Sequence, residues 1–179
     1  MKLLKILSEN KNTWRPLSQS EVKEFEKELY DLIDTAYKPI GGHPNVNSPE
    51  DVKQSADIFT VIDLDDDPEI DAVAIAKKRA GGTKYVGLGH DGSKPARSAA
   101  VNFKAKELKN KGSYIEVSGV LFDILKAKGV EIVDDEETVR NVLKGKDIKW
   151  NGDGTYDRVI GGKTLKKVMM GKPNISGNN

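Results

Sequence analysis

From Lys84 to Gly112 the chain reads KYVGLGHDGSKPARSAAVNFKAKELKNKG: an apolar strand-like run, a short polar loop and a helical run. A loop that enters a helix at Pro95 or Ala96 presents backbone amides without internal partners, at the positive end of the helix dipole. Gly92 lets a backbone approach a phosphate closely, and Ser93, Lys94 and Arg97 add donors and positive charge. Such a loop offers phosphate binding; a plain turn is the alternative.

Three residues are candidates for proton transfer. His90 ends the strand-like run beside the loop, and an imidazole titrates near neutrality. Glu116 alternates with Ile115 and Val117 in SYIEVSG and so faces away from its apolar neighbours. Burial that raised its pKa would make it a base; an exposed strand carboxylate is the other reading. Tyr156, with Arg158 in GTYDRVIGG, lies on a late strand and is a candidate acid, although core packing is the default for a strand tyrosine. His43, in GGHPN, reads as a flexible loop histidine, and Trp14 and Trp150 as packing residues.

Metal chemistry is not expected. There are no cysteines and two histidines, so thiolate and histidine-rich sites are excluded or disfavoured. Asp63 to Glu69, DLDDDPE, carries oxygens of the kind that Mg²⁺ or Ca²⁺ prefers, but lacks full calcium-loop spacing. It reads as a solvated hairpin turn whose charge could attract a basic acceptor.

The elements that must position these residues follow from periodicity. MKLLKILSE is a first strand or short helix. SQSEVKEFEKELYDLIDTAY is a helix with Val22, Phe25, Leu29, Leu32, Ile33 and Ala36 on one face, and SPEDVKQSA is a short helix capped by Ser48. DIFTVIDL, IDAVAIAKKR and TKYVGLGH form a three-stranded antiparallel meander. ARSAAVNFKAKELKNKG is a helix that turns Ala100, Phe103, Leu108 and the stem of Lys104 inward. Strand SYIEVSG, helix VLFDILKAKG, strand VEIVD and helix DEETVRNVLKG come next, then a final strand pair turning at Asp153-Gly154. KTLKKVMMGK is a solvated strand or helix face, too poor in aromatics for a nucleic-acid contact. The order predicts an α/β fold with a mixed, mainly antiparallel central sheet and helices on both faces.

The chain has 179 residues and a formal charge of +1. That length suits a single domain, read as residues 1–173 with a frayed tail at 174–179. Near-zero net charge disfavours nucleic acid as a partner. The absence of a signal-like N-terminus and of a spanning apolar run predicts a soluble cytoplasmic protein with no membrane partner.

This element order resembles the GNAT superfamily of N-acetyltransferases over roughly Lys2 to Pro173. The resemblance implies acetyl-CoA as co-substrate and a primary amine, on a small molecule or a protein, as acceptor; it admits a homodimer. It implies that Val86, Gly87, Leu88 and Gly89 pair with the pantetheine arm, and that Gly92, Ser93, Lys94, Ala96 and Arg97 hold the pyrophosphate. Glu116, His90 and Tyr156 become the catalytic candidates. Three positions depart from the pattern. The family's phosphate loop, Q/R-x-x-G-x-G/A, falls on DGSKPA, where Asp91 and Lys94 replace expected residues and Ala96 fits. Leu125 stands where many members carry a tyrosine that protonates the leaving thiolate. A catalytically inactive binding or assembly protein on the same fold is the rival reading. The style of YDRVIGG and MMGKP also resembles proteins encoded by bacteriophages.

Overall fold

Ser18 fixes where the first helix begins. Its hydroxyl accepts from the Glu21 amide while the Glu21 carboxylate accepts from the Ser18 amide, at 3.2 and 2.9 Å. This capping box satisfies two donors that a helix start otherwise leaves open. The computed structural model describes residues 12–65 and 69–174. The expected first element, MKLLKILSE, lies outside them, as do Asp66 to Pro68 of the acidic run and the last five residues of the tail.

The chain divides into two compact units, residues 1–77 with 86–103 and residues 78–85 with 104–179. Its strands are β1 (Arg15–Pro16), β2 (Ile58–Ile62), β3 (Ala72–Arg79), β4 (Gly82–His90), β5 (Ser113–Val117), β6 (Ile148–Trp150), β7 (Thr155–Ile160) and β8 (Lys163–Lys172). Hydrogen bonding runs in the order β1-β2-β3-β4-β5-β8-β7-β6, with β4–β5 parallel and the β2–β3, β5–β8, β8–β7 and β7–β6 pairs antiparallel. The mixed, mainly antiparallel sheet of the sequence reading is therefore present.

In the first unit, helices α1 (Gln19–Glu24) and α2 (Glu26–Tyr37) replace the single helix expected, because the backbone breaks at Phe25. Their apolar stripe, Val22, Phe25, Leu29, Leu32 and Ile33, packs with Phe59, Val61, Val73 and Ile75. Helix α3 (Val52–Ser55) follows a 3₁₀ turn at Pro49–Asp51 that Ser48 caps. On the opposite face of the same strands, Ile62 and Ala72 meet Ala96 and Ala100 of helix α4 (Lys94–Leu108). Period-two alternation in β2 and β3 thus supplies both faces with apolar side chains. Trp14 stacks on Phe103 at 4.3 Å, a packing role as expected.

In the second unit, helices α5 (Val120–Ala127) and α6 (Glu136–Val142) follow β5. Val139, Val142 and Leu143 cluster with Tyr114, Tyr156 and Met169. The expected strand VEIVD makes only an isolated bridge, Ile132 with Met170. The reason is occupancy: β7 pairs with β8 from Lys163 to Val168, so only the last stretch of that edge remains for residues 131–133. The final strand pair is instead three strands. Gly161 and Gly162, both at positive φ, turn the chain from β7 into β8, and the supposedly solvated KTLKKVMMGK buries Val168, Met169, Met170 and Gly171. Asn174, assigned to the frayed tail, donates its amide to the Gly81 carbonyl at 2.8 Å.

Two packing predictions follow. A β-carbon on Gly89 would lie 2.8 Å from the Ile33 nitrogen, the Leu32 carbonyl carbon and a Val73 methyl. Gly89→Ala should lower stability in thermal denaturation by about 2 kcal/mol, since two of the three neighbours are backbone and cannot yield. Lys104, by contrast, is fully buried on the Ala96–Ala100–Lys104–Leu108 face of α4, and burial pulls its ammonium from 10.5 down to about 8. The unfolded chain binds that proton more tightly, so the wild-type protein should gain stability as pH rises from 8 to 10.5. Lys104→Met should be more stable than wild type at pH 7 and lack this rise.

Candidate functional site

The loop between β4 and α4 is built from side chains that cap their own backbone. The Gly92 amide donates to His90 Nδ1 at 3.1 Å, the Ser93 amide to Asp91 Oδ1 at 2.8 Å, and the Ala96 amide to Ser93 Oγ at 3.3 Å. Gly92 sits at φ 90°, which only a glycine adopts cheaply. The helix starts at Lys94, slightly earlier than the sequence suggested. Lys94 and Arg97 are exposed and, among the described residues, make no hydrogen bond or ion pair. The loop therefore offers two free cations, while four of its amides are already engaged, that of Asp91 by the Asp71 carbonyl at 3.1 Å.

Proton states here are set by the same contacts. Burial lowers the His90 pKa and Arg97 lowers it further, so the ring is neutral at pH 7. Because Nδ1 accepts from Gly92, the ring proton resides on Nε2. Burial pushes Asp91 up, but its bonds from the Ser93 side chain and amide outweigh this and hold it ionised.

The β4 backbone before the loop is also committed. His43 is buried, not a flexible loop residue: its Nε2 donates to the Val86 carbonyl and its Nδ1 accepts from the Asn45 amide, each at 3.1 Å. The ring also stands edge-on to Tyr37, with centroids 4.7 Å apart. A β-carbon on Gly87 would meet His43 Nε2 at 2.9 Å. Gly87 and Gly89 are thus explained by close packing. The spacing of glycines in β4 was visible in the sequence, but nothing there identified His43 and α2 as the neighbours.

The second group of candidates meets on one face of the second unit. Glu116 accepts from Lys84 Nζ at 2.5 Å, from the Tyr156 hydroxyl at 2.9 Å, and from Arg158 Nη1 in a short contact. Its side chain is 5% exposed, against 18% for Lys84 and 14% for Arg158. Burial pushes the carboxyl pKa up, but Lys84 and Arg158 together bring it below its ordinary 4.5. The expected rise toward neutrality does not occur. Tyr156 shifts the other way: burial and the Glu116 charge push its phenol strongly up. A phenol that holds its proton this firmly is a hydrogen-bond donor and a poor acid. Trp150 stacks near Tyr156 at 6.4 Å. Leu125 is fully buried in α5, which gives it a packing role. Sequence reasoning placed Glu116, Tyr156 and Arg158 as separate candidates and missed Lys84 and Lys167, because cross-strand neighbours depend on a strand order that one-dimensional periodicity does not carry.

A third cluster belongs to the first unit. Carboxylate oxygens of Asp63, Asp65 and Asp71 lie within 4.8 Å of one another. Asp63 is buried, which corrects the reading of Asp63 to Glu69 as a solvated turn at that residue, whereas Asp65 is exposed; Asp71, beyond the run, is buried too. Their acceptors are used locally: Asp71 takes the Leu64 amide and Asp63 the Asp65 amide. Burial, aided by Asp65, Asp63 and Asp91, raises Asp71 to about 6.

No protein-family model and no curated protein matches the chain. Among solved structures, it is similar to the aminoglycoside 6'-N-acetyltransferase from Enterococcus faecium, with a TM-score of 0.54 and 12% identity over 89% of this chain and 96% of that one. It is also similar to the ribosomal-protein-S18-alanine N-acetyltransferase from Escherichia coli, with a TM-score of 0.51 and 13% identity over 90% of this chain and 92% of that one. At such identities the shared property is the fold alone. No helix among the described residues is long and apolar enough to cross a membrane.

Glu116→Gln should cost on the order of 3 kcal/mol at pH 7, because it leaves Lys84 and Arg158 half-buried without an anion. A carboxylate with a lowered folded pKa stabilises above its unfolded value of 4.5, and the contribution fades as pH falls through the folded pKa. Denaturant titrations across pH should therefore show the wild-type advantage at pH 7 shrinking steadily into acid.

Proposed function

We propose that the protein is an N-acetyltransferase that takes acetyl-CoA as co-substrate and acetylates a primary amine on a small molecule or a protein. The observation that carries this reading is the shared fold, which extends over 96% and 92% of two N-acetyltransferase chains. The strand-to-helix loop at Asp91 to Arg97 supports it, since it is the segment where the resemblance expects a pyrophosphate.

The loop fits that group in charge: Lys94 and Arg97 are exposed and unpaired among the described residues. Its amides fit after an exchange. To hold a pyrophosphate, the Asp91 and Ser93 side chains must release the Ser93 and Ala96 amides they now cap. Of the β4 groups, the Val86 carbonyl is already engaged by His43 and the Leu88 backbone by Tyr37, so Gly87 and Gly89 are the groups proposed for the pantetheine arm. When bound, acetyl-CoA would supply the thioester carbonyl that the amine attacks. His90 is the proposed base, because it is unprotonated at neutral pH; its Nδ1 must first give up the Gly92 amide. Glu116 stays ionised and orients cations. Tyr156 holds its proton and donates it in a hydrogen bond to Glu116, so protonation of a leaving thiolate falls to solvent.

The rival, a GNAT-fold binding or assembly protein without catalysis, draws on one specific observation: a loop that already caps itself with a carboxylate. Calorimetric titration of acetyl-CoA and CoA separates the two. Saturable binding is expected, weakened about tenfold or more in Lys94→Ala/Arg97→Ala, where two charge-assisted contacts are lost. Asp91→Asn should tighten it by removing a like charge. No binding at millimolar ligand would leave the rival standing.

A further inference from the structure

The face that carries Glu116 holds more positive than negative charge. Strand register brings the residues together. Lys84 lies beside Tyr114 in the parallel pair, and Tyr114 and Glu116 share a face of β5. Glu116 is opposite Met169, Met169 shares its face with Lys167, and Lys167 is opposite Tyr156, two residues before Arg158. Lys84, Arg158 and Lys167 thus surround one carboxylate, and three cations against one anion leave a net charge of +2 on a half-buried surface.

The single negative charge of Glu116 cannot neutralise all three cations. Its two oxygens already accept three donors. Lys167 makes no hydrogen bond or ion pair among the described residues; Glu116 attracts it, while Arg158 and Lys84 repel it. Burial, the largest influence, and these repulsions lower its pKa. Arg158 spends one terminal nitrogen on Glu116, and the rest of its guanidinium fork makes no further hydrogen bond among the described residues. Charges withdrawn from water without a partner are unfavourable. Lys167 and the open fork of Arg158 are diagonal neighbours across β8 and β7, donors of the kind that an oxyanion accepts from.

We infer that this face binds a small oxyanion, a carboxylate or a phosphate, held by Lys167 and the free edge of Arg158, with Glu116 fixing the orientation of Arg158. The anion site lies wholly within the second unit and does not depend on the acetyltransferase reading.

The test titrates inorganic phosphate and, separately, acetate into the full chain at low ionic strength, without acetyl-CoA. Saturable binding of one or both is expected, and the stronger of the two identifies the chemistry. Lys167→Gln should weaken it about tenfold or more, and Lys167→Arg should restore it. Lys163→Gln, an exposed position on the same strand, should leave it unchanged. If Lys167→Gln does not fold, Arg158→Lys, which keeps the charge on Glu116 but loses the fork, should weaken binding likewise. No saturable binding, or equal loss in the Lys163 and Lys167 variants, overturns the site.

Discussion

Gly171 has no room for a β-carbon: an added one would lie 2.5 Å from the Ser113 carbonyl oxygen and 2.9 Å from the Tyr114 α-carbon. That close approach lets β8 lie against β5 while β7 pairs along its other edge. The second unit depends on this insertion. With β8 in place, Lys167 stands opposite Tyr156 and Met169 opposite Glu116, so residues remote in sequence share one face. The apolar members of that face, Tyr114, Tyr156 and Met169, bury against α6, and the polar members gather around Glu116. Burial alone would push the pKa of the carboxyl up. Lys84 and Arg158 keep it charged, and its charge in turn holds the proton on Tyr156.

The first unit solves a different problem, how to bring a helix against the β4 backbone. Gly87 and Gly89 remove the side chains that would stand in the way, and His43 and α2 fill the space. The His43 ring joins the Val86 carbonyl to the Asn45 amide, so a buried polar group is satisfied at both nitrogens. The same economy governs the loop after β4, where His90, Asp91 and Ser93 cap the amides that a helix start leaves open. Ligand binding at such a loop competes with internal caps. Its affinity is the difference between two sets of hydrogen bonds rather than the sum of one.

Much of the fold was legible because it rests on local rules. The Ser18 and Ser48 caps, the alternation of β2 and β3, and the helical stripe of Val22, Phe25, Leu29, Leu32 and Ile33 are short-range patterns that tertiary packing then uses. Where the reading erred, the deciding contact was distant. VEIVD has strand composition, but β7 occupies most of the edge it would need. His43 looked mobile because glycines and proline surround it, yet Tyr37 and Val86 enclose it. Glu116 was identified by alternation, but the direction of its pKa shift depended on Lys84 and Arg158, 32 and 42 residues away.

The sequence by itself determined the elements, the order in which they follow one another and the residue types able to carry charge or protons. These are set by side-chain periodicity, capping and glycine placement, which act over a few residues. Only the tertiary structure decided which charges neutralise one another, which amides are already spoken for and which lysine is left without a partner. Those outcomes turn on strand order and register, where a shift of one residue moves a side chain to the opposite face. They also turn on burial, which strengthens every interaction between charges while penalising each charge that remains alone.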